Sequence, residues 1–174
     1  DSNGVTLAER QAATPAKYGG DLYYNRRDGV VYPFGYGLSY TSFDVTIDSV
    51  KHNGATFATG GTLNTADDQE ITVNVKVTNT GNLPGKKVVQ LYYSAPYYTG
   101  EIEKSSVTFL DFEKSKLLSP GQSQIIPITF FVQDMASFDF DDANNNGHKG
   151  YELDAGNYEI GIYDSSHELL DSID

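Results

Sequence analysis

From Phe43 onward the chain alternates apolar and polar residues with a period of two, the pattern of strands that bury one face. Phe43, Val45 and Ile47 alternate with Asp44, Thr46 and Asp48. Ile71, Val73, Val75 and Val77 alternate with Thr72, Asn74, Lys76 and Thr78, which predicts a half-buried strand. The turn NTGNLPG at 79–85 follows, punctuated by two glycines and a proline. Then KKVVQLYYSA at 86–95 is rich in β-branched and aromatic residues and reads as another strand. After the turn Ser119-Pro120-Gly121, the residues Ile126, Ile128, Phe130 and Val132 alternate again. Pro127 inside that run places it at a sheet edge or a bulge, because proline cannot donate to a ladder. Tyr158, Ile160 and Ile162 form a last clear strand, opened by Gly156-Asn157, and His167–Ile173 suits an edge strand. Seven or so short strands with turn signals and no intervening helices predict two antiparallel sheets packed face to face.

Residues 1–42 differ. They are rich in glycine and tyrosine, and the one helical suggestion is LAERQAA at 7–13. Aromatics recur at Tyr18, Tyr23, Tyr24, Tyr32, Phe34, Tyr36, Tyr40 and Phe43, which reads as an extended arm anchored on an apolar surface. The expected organisation is therefore an interdomain arm over 1–42 and a β-sandwich over 43–174.

Composition narrows the function classes. The 174 residues are 39% hydrophobic, enough for a core, and no run of about 18 apolar residues is present to cross a bilayer as a helix. The opening DSNGVTLAER has no basic head or apolar stretch, so no signal peptide is expected, and a start at Asp suggests an excised piece. Its cellular address is left open between cytoplasm and secretion. Without cysteine, thiol catalysis, Cys-ligated zinc and disulfides are excluded. The net charge of −12 disfavours nucleic acid and anionic membranes as partners. That charge is uneven: residues 134–174 carry 11 acidic side chains and one lysine.

The string YPFGYGLSYTSF at 32–43 resembles the junction that leads into the C-terminal fibronectin type III-like domain of glycoside hydrolase family 3, the β-glucosidase and β-xylosidase group. The resemblance continues in order through Asn79-Thr80-Gly81, Gly85 and Val88-Val89-Gln90-Leu91-Tyr92. It runs on through Phe109, Phe112 and Lys114, the turn Leu118, Pro120, Gly121, and the pair Gly156 and Tyr158. Two departures stand out: Asp111 occupies a position that is glycine in the family pattern, and the segment 139–150 is longer and richer in Asn and Asp. The resemblance implies an all-β, fibronectin type III/immunoglobulin-like antiparallel β-sandwich. It also implies that the catalytic aspartate and the acid/base residue belong to other domains, and no nucleophile motif of that kind occurs in this chain. Read from the residues alone, Gly35 and Gly37 allow close backbone approach beside large rings, and Asn79 and Gly81 suit left-handed turn conformations.

No catalytic, cofactor-binding or metal-binding residue is assigned. A retaining glycosidase needs two carboxyl groups about 5–5.5 Å apart across the scissile bond, and no spacing among the 24 acidic residues singles out such a pair. His52, His148 and His167 are scattered, and Ser39 in GLSYT lacks the nucleophile-elbow pattern. Asp142-x-Asn144-x-Asn146-Gly147 begins like a calcium loop, but Leu153 stands at the twelfth position, and an Asn/Asp-rich surface turn explains the same residues. Tyr92, Tyr93, Tyr97 and Tyr98 offer either packing or a row of rings for sugar; in an alternating strand one of Tyr92 and Tyr93 faces inward. The expected function is a non-catalytic accessory domain that contacts the catalytic domains of a larger enzyme, with homo-oligomer contacts as a further possibility. The rivals are a carbohydrate-binding module using exposed tyrosines, and a calcium-stabilised spacer or adhesive surface domain.

Overall fold

The computed structural model describes residues 31–58, 60–63 and 69–173. The helix expected at 7–13 and the rings of Tyr18, Tyr23 and Tyr24 lie outside these residues. Ten strands follow one another along the described chain. They are β1 (Phe43–His52), β2 (Ala55–Phe57), β3 (Glu70–Asn79), β4 (Val88–Ser94), β5 (Thr108–Lys114) and β6 (Ser123–Phe131), followed by β7 (Ser137–Asp139), β8 (Gly150–Glu152), β9 (Glu159–Ser165) and β10 (Glu168–Ile173). A single 3-10 turn, Val132–Met135, is the only helical piece among the described residues.

One sheet has the order β2-β1-β3-β6, the second β10-β9-β4-β5, and β7-β8 is a separate hairpin. Every pairing is antiparallel. The architecture is the expected sandwich of fibronectin type III/immunoglobulin type. Its core joins Val73, Val75 and Val77 of β3 and Ile126 and Ile128 of β6 to Val89 and Leu91 of β4 and Ile162 of β9. Burying these branched side chains between two sheets is the main driving force for the fold.

The period-two reading holds where the ladder is regular and slips where it is not. In β1 the pairing steps from Ile47↔Val75 to Ser49↔Asn74, so Asp48 is an extra residue and Val50 takes the inward place. A bulge of this kind shifts the phase of every later side chain. β1 turns into β2 through Asn53-Gly54, both at positive φ (46° and 80°), the backbone that a two-residue hairpin requires. Pro127 lies on β6, an edge of its sheet, opposite Asn74, where its missing N–H leaves the ladder intact. β5 was not legible as an alternating run, because Leu91 faces Asp111 while Tyr92 faces Phe109, leaving Leu110 as an unpaired extra residue. That bulge supplies the bend beside Asp111, whose Oδ1 accepts the Phe112 N–H at 2.7 Å.

β4 departs from simple alternation in a way that matters for function. Val89, Leu91 and Tyr93 point into the inter-sheet core, yet Gln90 and Tyr92 on the opposite face are also buried. Both tyrosines of the pair are therefore covered, because residues 34–35 lie across the outer face of the second sheet. Phe34 packs edge-on against Phe109 with ring centroids 5.5 Å apart, and Phe109 in turn meets Tyr92 at 5.4 Å.

Candidate functional site

Several residues that carry the family resemblance, Gly35, Asn79, Gly81, Gly85 and Gln90, converge on the attachment of the string 31–42 to the sandwich. Gln90 sits in the middle of an otherwise apolar strand. Its Nε2 donates to the Gly35 carbonyl at 3.0 Å and to the Asp164 carbonyl at 2.9 Å, and its Oε1 accepts from the Tyr92 hydroxyl at 3.1 Å. Buried amides are costly unless bonded, and this one has partners on both of its ends. Gly35 has φ +81°, and a side chain at that position would collide with the Gln90 carboxamide. Nearby, the Ser166 N–H donates to the Phe34 carbonyl at 2.9 Å. Gly37, by contrast, faces open space.

A second fastening lies at the end of β3. The Asn79 side chain is fully buried. Its Oδ1 accepts from Thr41 Oγ1 at 2.8 Å and from the Gly81 N–H at 3.1 Å, while Nδ2 donates to the carbonyls of Leu83 and Leu118, each at 2.8 Å. The two donor hydrogens and the two acceptor lone pairs are thus all used. The sequence reading of Asn79 and Gly81 as left-handed turn residues is corrected here: neither has positive φ. Gly81 is small because a Cβ would run into Thr41 and the Ser42 amide, and a Cβ on Gly85 would lie 2.6 Å from Thr41 Cγ2. The sequence signalled Gln90, a polar amide inside the apolar run VVQLYY, whereas Asn79 lies among polar turn residues and gave no such contrast.

Fastened at both points, the string presents its other rings outward. Tyr40 is 97% exposed and Leu38 88%, and Tyr32, Tyr36 and Val31 are also uncovered. Monomers seldom leave so many large apolar groups together in water unless they meet something.

Among the described residues, no hydrolytic constellation accompanies this surface. His52 ends β1, His148 lies in the loop before β8 and His167 sits in the β9–β10 turn, on three separate elements. Ser39 Oγ accepts the Thr41 N–H at 3.3 Å within its own turn. A cavity of about 990 Å³ opens at the end of the sandwich away from the junction, lined by Val50, Phe57, Ile71, Val132, Met135 and Tyr158. The one carboxylate among its described lining residues, Asp154, is ion-paired with Lys104. A pair of carboxyl groups flanking a glycosidic bond is not assembled there. Tyr158 reaches the Asp154 carbonyl at 3.2 Å, and its hydroxyl is pushed up to about 12, first by burial and then by the Asp154 charge. Burial also raises Tyr92, Tyr93 and Tyr163.

The tyrosine row divides: Tyr92 and Tyr93 are buried, whereas Tyr97 and Tyr98 remain 51% and 43% exposed and engage the domain through their hydroxyls. Tyr97 donates to Glu103 at 3.1 Å and Tyr98 to the Ala155 carbonyl at 2.7 Å. Lys104 Nζ bonds the Pro96 carbonyl at 2.7 Å and pairs with Asp154, which clamps the loop after β4 onto the loop before β9.

The calcium-like loop is likewise closed by its own groups. Asp142 Oδ1 accepts the Gly147 N–H at 3.0 Å, Asn144 Oδ1 the Asn146 N–H at 3.2 Å, and Asn146 Oδ1 the His148 N–H at 2.7 Å. The amides of Asn144 and Asn146 both donate to Glu152 Oε2, at 2.9 and 2.6 Å. Glu152 Oε1 is buried without a hydrogen-bond partner. Among the described residues, no three Asp, Glu or His side chains gather as a metal set.

The chain matches parts of much longer proteins. It is 40% identical over 116 residues to β-glucosidase A of Butyrivibrio fibrisolvens, covering 65% of this chain and 14% of that protein. It is 33% identical to a β-glucosidase of Ruminococcus albus, over 76% of this chain and 12% of the relative. Among solved structures, a β-glucosidase from Paenibacillus barengoltzii superposes with a TM-score of 0.67 at 41% identity, over 84% of this chain and 14% of that one. The glucose complex of β-glucosidase 3B from Thermotoga neapolitana gives 0.65 at 31% identity, over 86% and 18%. The chain thus spans less than a fifth of each of these relatives. No family model matches it.

Proposed function

The chain belongs to glycoside hydrolase family 3, as its fibronectin type III-like domain, and from that premise we propose that it is a non-catalytic accessory domain. In this reading the parent is a β-glucosidase-type enzyme, and the domain braces the catalytic body. The observation that carries the proposal is the double fastening of residues 31–42. Gln90 and Asn79, both buried, use their hydrogen-bonding capacity to hold a connecting string against the sandwich. Buried, fully bonded amides fix one geometry and supply no free group for chemistry. The string so held turns Tyr32, Tyr36, Leu38 and Tyr40 outward as a rigid apolar ridge. Such a ridge suits a permanent interdomain contact, in which aromatic side chains contribute most of the buried area.

The test is direct. The purified, folded chain is incubated with aryl β-glucosides and aryl β-xylosides, and no turnover above the buffer rate is expected. Turnover that co-elutes with the monomer through two columns of different chemistry would overturn the proposal.

A further inference from the structure

We infer that the β7–β8 hairpin is a stacking surface for a neutral gluco-oligosaccharide. The hairpin is amphipathic the wrong way round for a domain edge. Phe138 and Phe140, two residues apart, are 55% and 77% exposed, and Tyr151, directly across from Phe138, is 74% exposed. Between them, Asp139 is only 2% exposed and turns inward. Its carboxylate accepts the Asp141 N–H at 3.0 Å and the Ala143 N–H at 2.8 Å. A buried carboxylate bonded to two backbone amides fixes the local conformation, and so holds the aromatic face toward water.

The chemistry of the face selects its ligand. Its large apolar side chains are all aromatic, and the rings of Phe138 and Tyr151 meet at 5.1 Å with planes 69° apart. Two rings set nearly at right angles form a corner whose walls are flat, which suits the apolar C–H face of a pyranose. Asp141 and Lys149, both well exposed and 3.5 Å apart, stand at the loop end of the hairpin as acceptor and donor for hydroxyl groups. A protein partner fits less well. Three partly exposed rings offer roughly 400 Å², about half of the ~800 Å² that a stable protein interface buries on each side. The acidic excess after residue 133, eleven carboxylates to one lysine, opposes nucleic acid and anionic lipid. Glucose units are chosen over other neutral sugars because of the β-glucosidase kinship, whereas the stacking argument stands without it.

The surface is distinct from the tyrosines at 97 and 98, whose hydroxyls are engaged with Glu103 and Ala155. The experiment separates the two. The whole chain is run in native gels containing mixed-linkage β-glucan or laminarin, with xylan and a sugar-free gel as references. Wild type and Tyr97→Ala are expected to be retarded by the glucans, and Tyr151→Phe to retain most of the effect. Phe138→Ala and Tyr151→Ala should each weaken apparent affinity about tenfold, the loss of one ring contact, with melting temperature confirming that each variant is folded. Absence of retardation of the wild type in both glucans would overturn the inference. So would retardation that survives the double variant F138A/Y151A, or that disappears in Tyr97→Ala.

Discussion

The central strands β3 and β4 teach opposite lessons about what covers a sheet. β3 buries Ile71, Val73, Val75 and Val77 and sends Thr72, Lys76 and Thr78 to its outer face, where Lys76 is exposed and the two threonine hydroxyls bond those of Thr129 and Ser123 on β6. β4 buries five consecutive residues, Val89 through Tyr93, because the outer face of its sheet is roofed by the string that enters the domain. A strand of an antiparallel sheet ordinarily shows one wet face. Where both faces are dry, something other than the two sheets has been built onto the sandwich. Here that addition is the string 31–42, in the proposed reading the connection to the catalytic body, which makes β4 the place where fold and proposed function meet.

The largest expected effect comes from breaking this difference on the outer faces themselves. Lys76→Ser on β3 should change stability by no more than about 0.5 kcal/mol, as for most exposed sites. Tyr92→Ser, at the comparable outer position on β4, removes a ring packed on Phe109 and Tyr163 and a hydroxyl bonded to Gln90. It should cost about 3 kcal/mol, a fall of roughly 10 °C in Tm for a domain of this size. Thermal melts of the two variants check this directly. Equal, small shifts would mean that the roof contributes nothing to the stability of β4.

A smaller effect isolates the fastening from the core. Gly35→Ala forces a side chain into the Gln90 carboxamide and into a positive-φ backbone, while leaving the inter-sheet core untouched. It should cost about 1–2 kcal/mol. Much of that loss should be local, so proteolytic cleavage within 31–42 should accelerate more than global unfolding does. Protection of the string equal to wild type would show that Phe34 alone holds it.

Alkaline pH sharpens the comparison from the side of β4 and its neighbours. Tyr92, Tyr93, Tyr158 and Tyr163 all lie on or beside the second sheet, and burial raises each above its usual value of 10, with Tyr158 reaching about 12. A raised folded-state value means that the native protein keeps its proton while the unfolded chain releases it. The stability so contributed is complete below pH 10 and is lost as pH rises toward 12. Denaturant midpoints should therefore fall across that window, in step with tyrosinate absorbance. Ionisation complete near pH 10 with no loss of stability would show these rings to be effectively solvated.

The same contrast explains what the sequence disclosed. β3 was legible because its ladder is regular and its faces differ chemically, and Pro127 marked β6 as an edge or a bulge through its missing donor, of which the structure shows the edge. β5 was hidden by the bulge at Leu110, which breaks the period within seven residues. β7 and β8 were hidden because three residues are too few to display any period. The outward rings of the hairpin drew no reading from the sequence, since hydrophobicity alone does not state which face is wet. Gln90 carried a signal in plain view, an amide within VVQLYY, but its partners Gly35 and Asp164 are 55 and 74 residues away and only the fold brings them together.

The smallest expected effect concerns the loop between β7 and β8. Its D-x-N-x-N-G opening suits calcium, yet Asp142, Asn144 and Asn146 already direct oxygens at the N–H groups of Gly147, Asn146 and His148, and both asparagine amides hold Glu152. A cation would have to replace bonds that the loop makes for itself, so binding should add little net stability. Saturating chelator should then move Tm by less than about 1 °C, since a ligand present at a thousand times its Kd would contribute about 4 kcal/mol and several degrees. The orphaned Oε1 of Glu152 is the atom through which the opposite result would arise. If chelation lowers Tm by several degrees and Glu152→Gln or Asp142→Ala abolishes that sensitivity, the loop is a cation site rather than a self-bonded turn. The aromatic hairpin it closes would then depend on the ion for its shape.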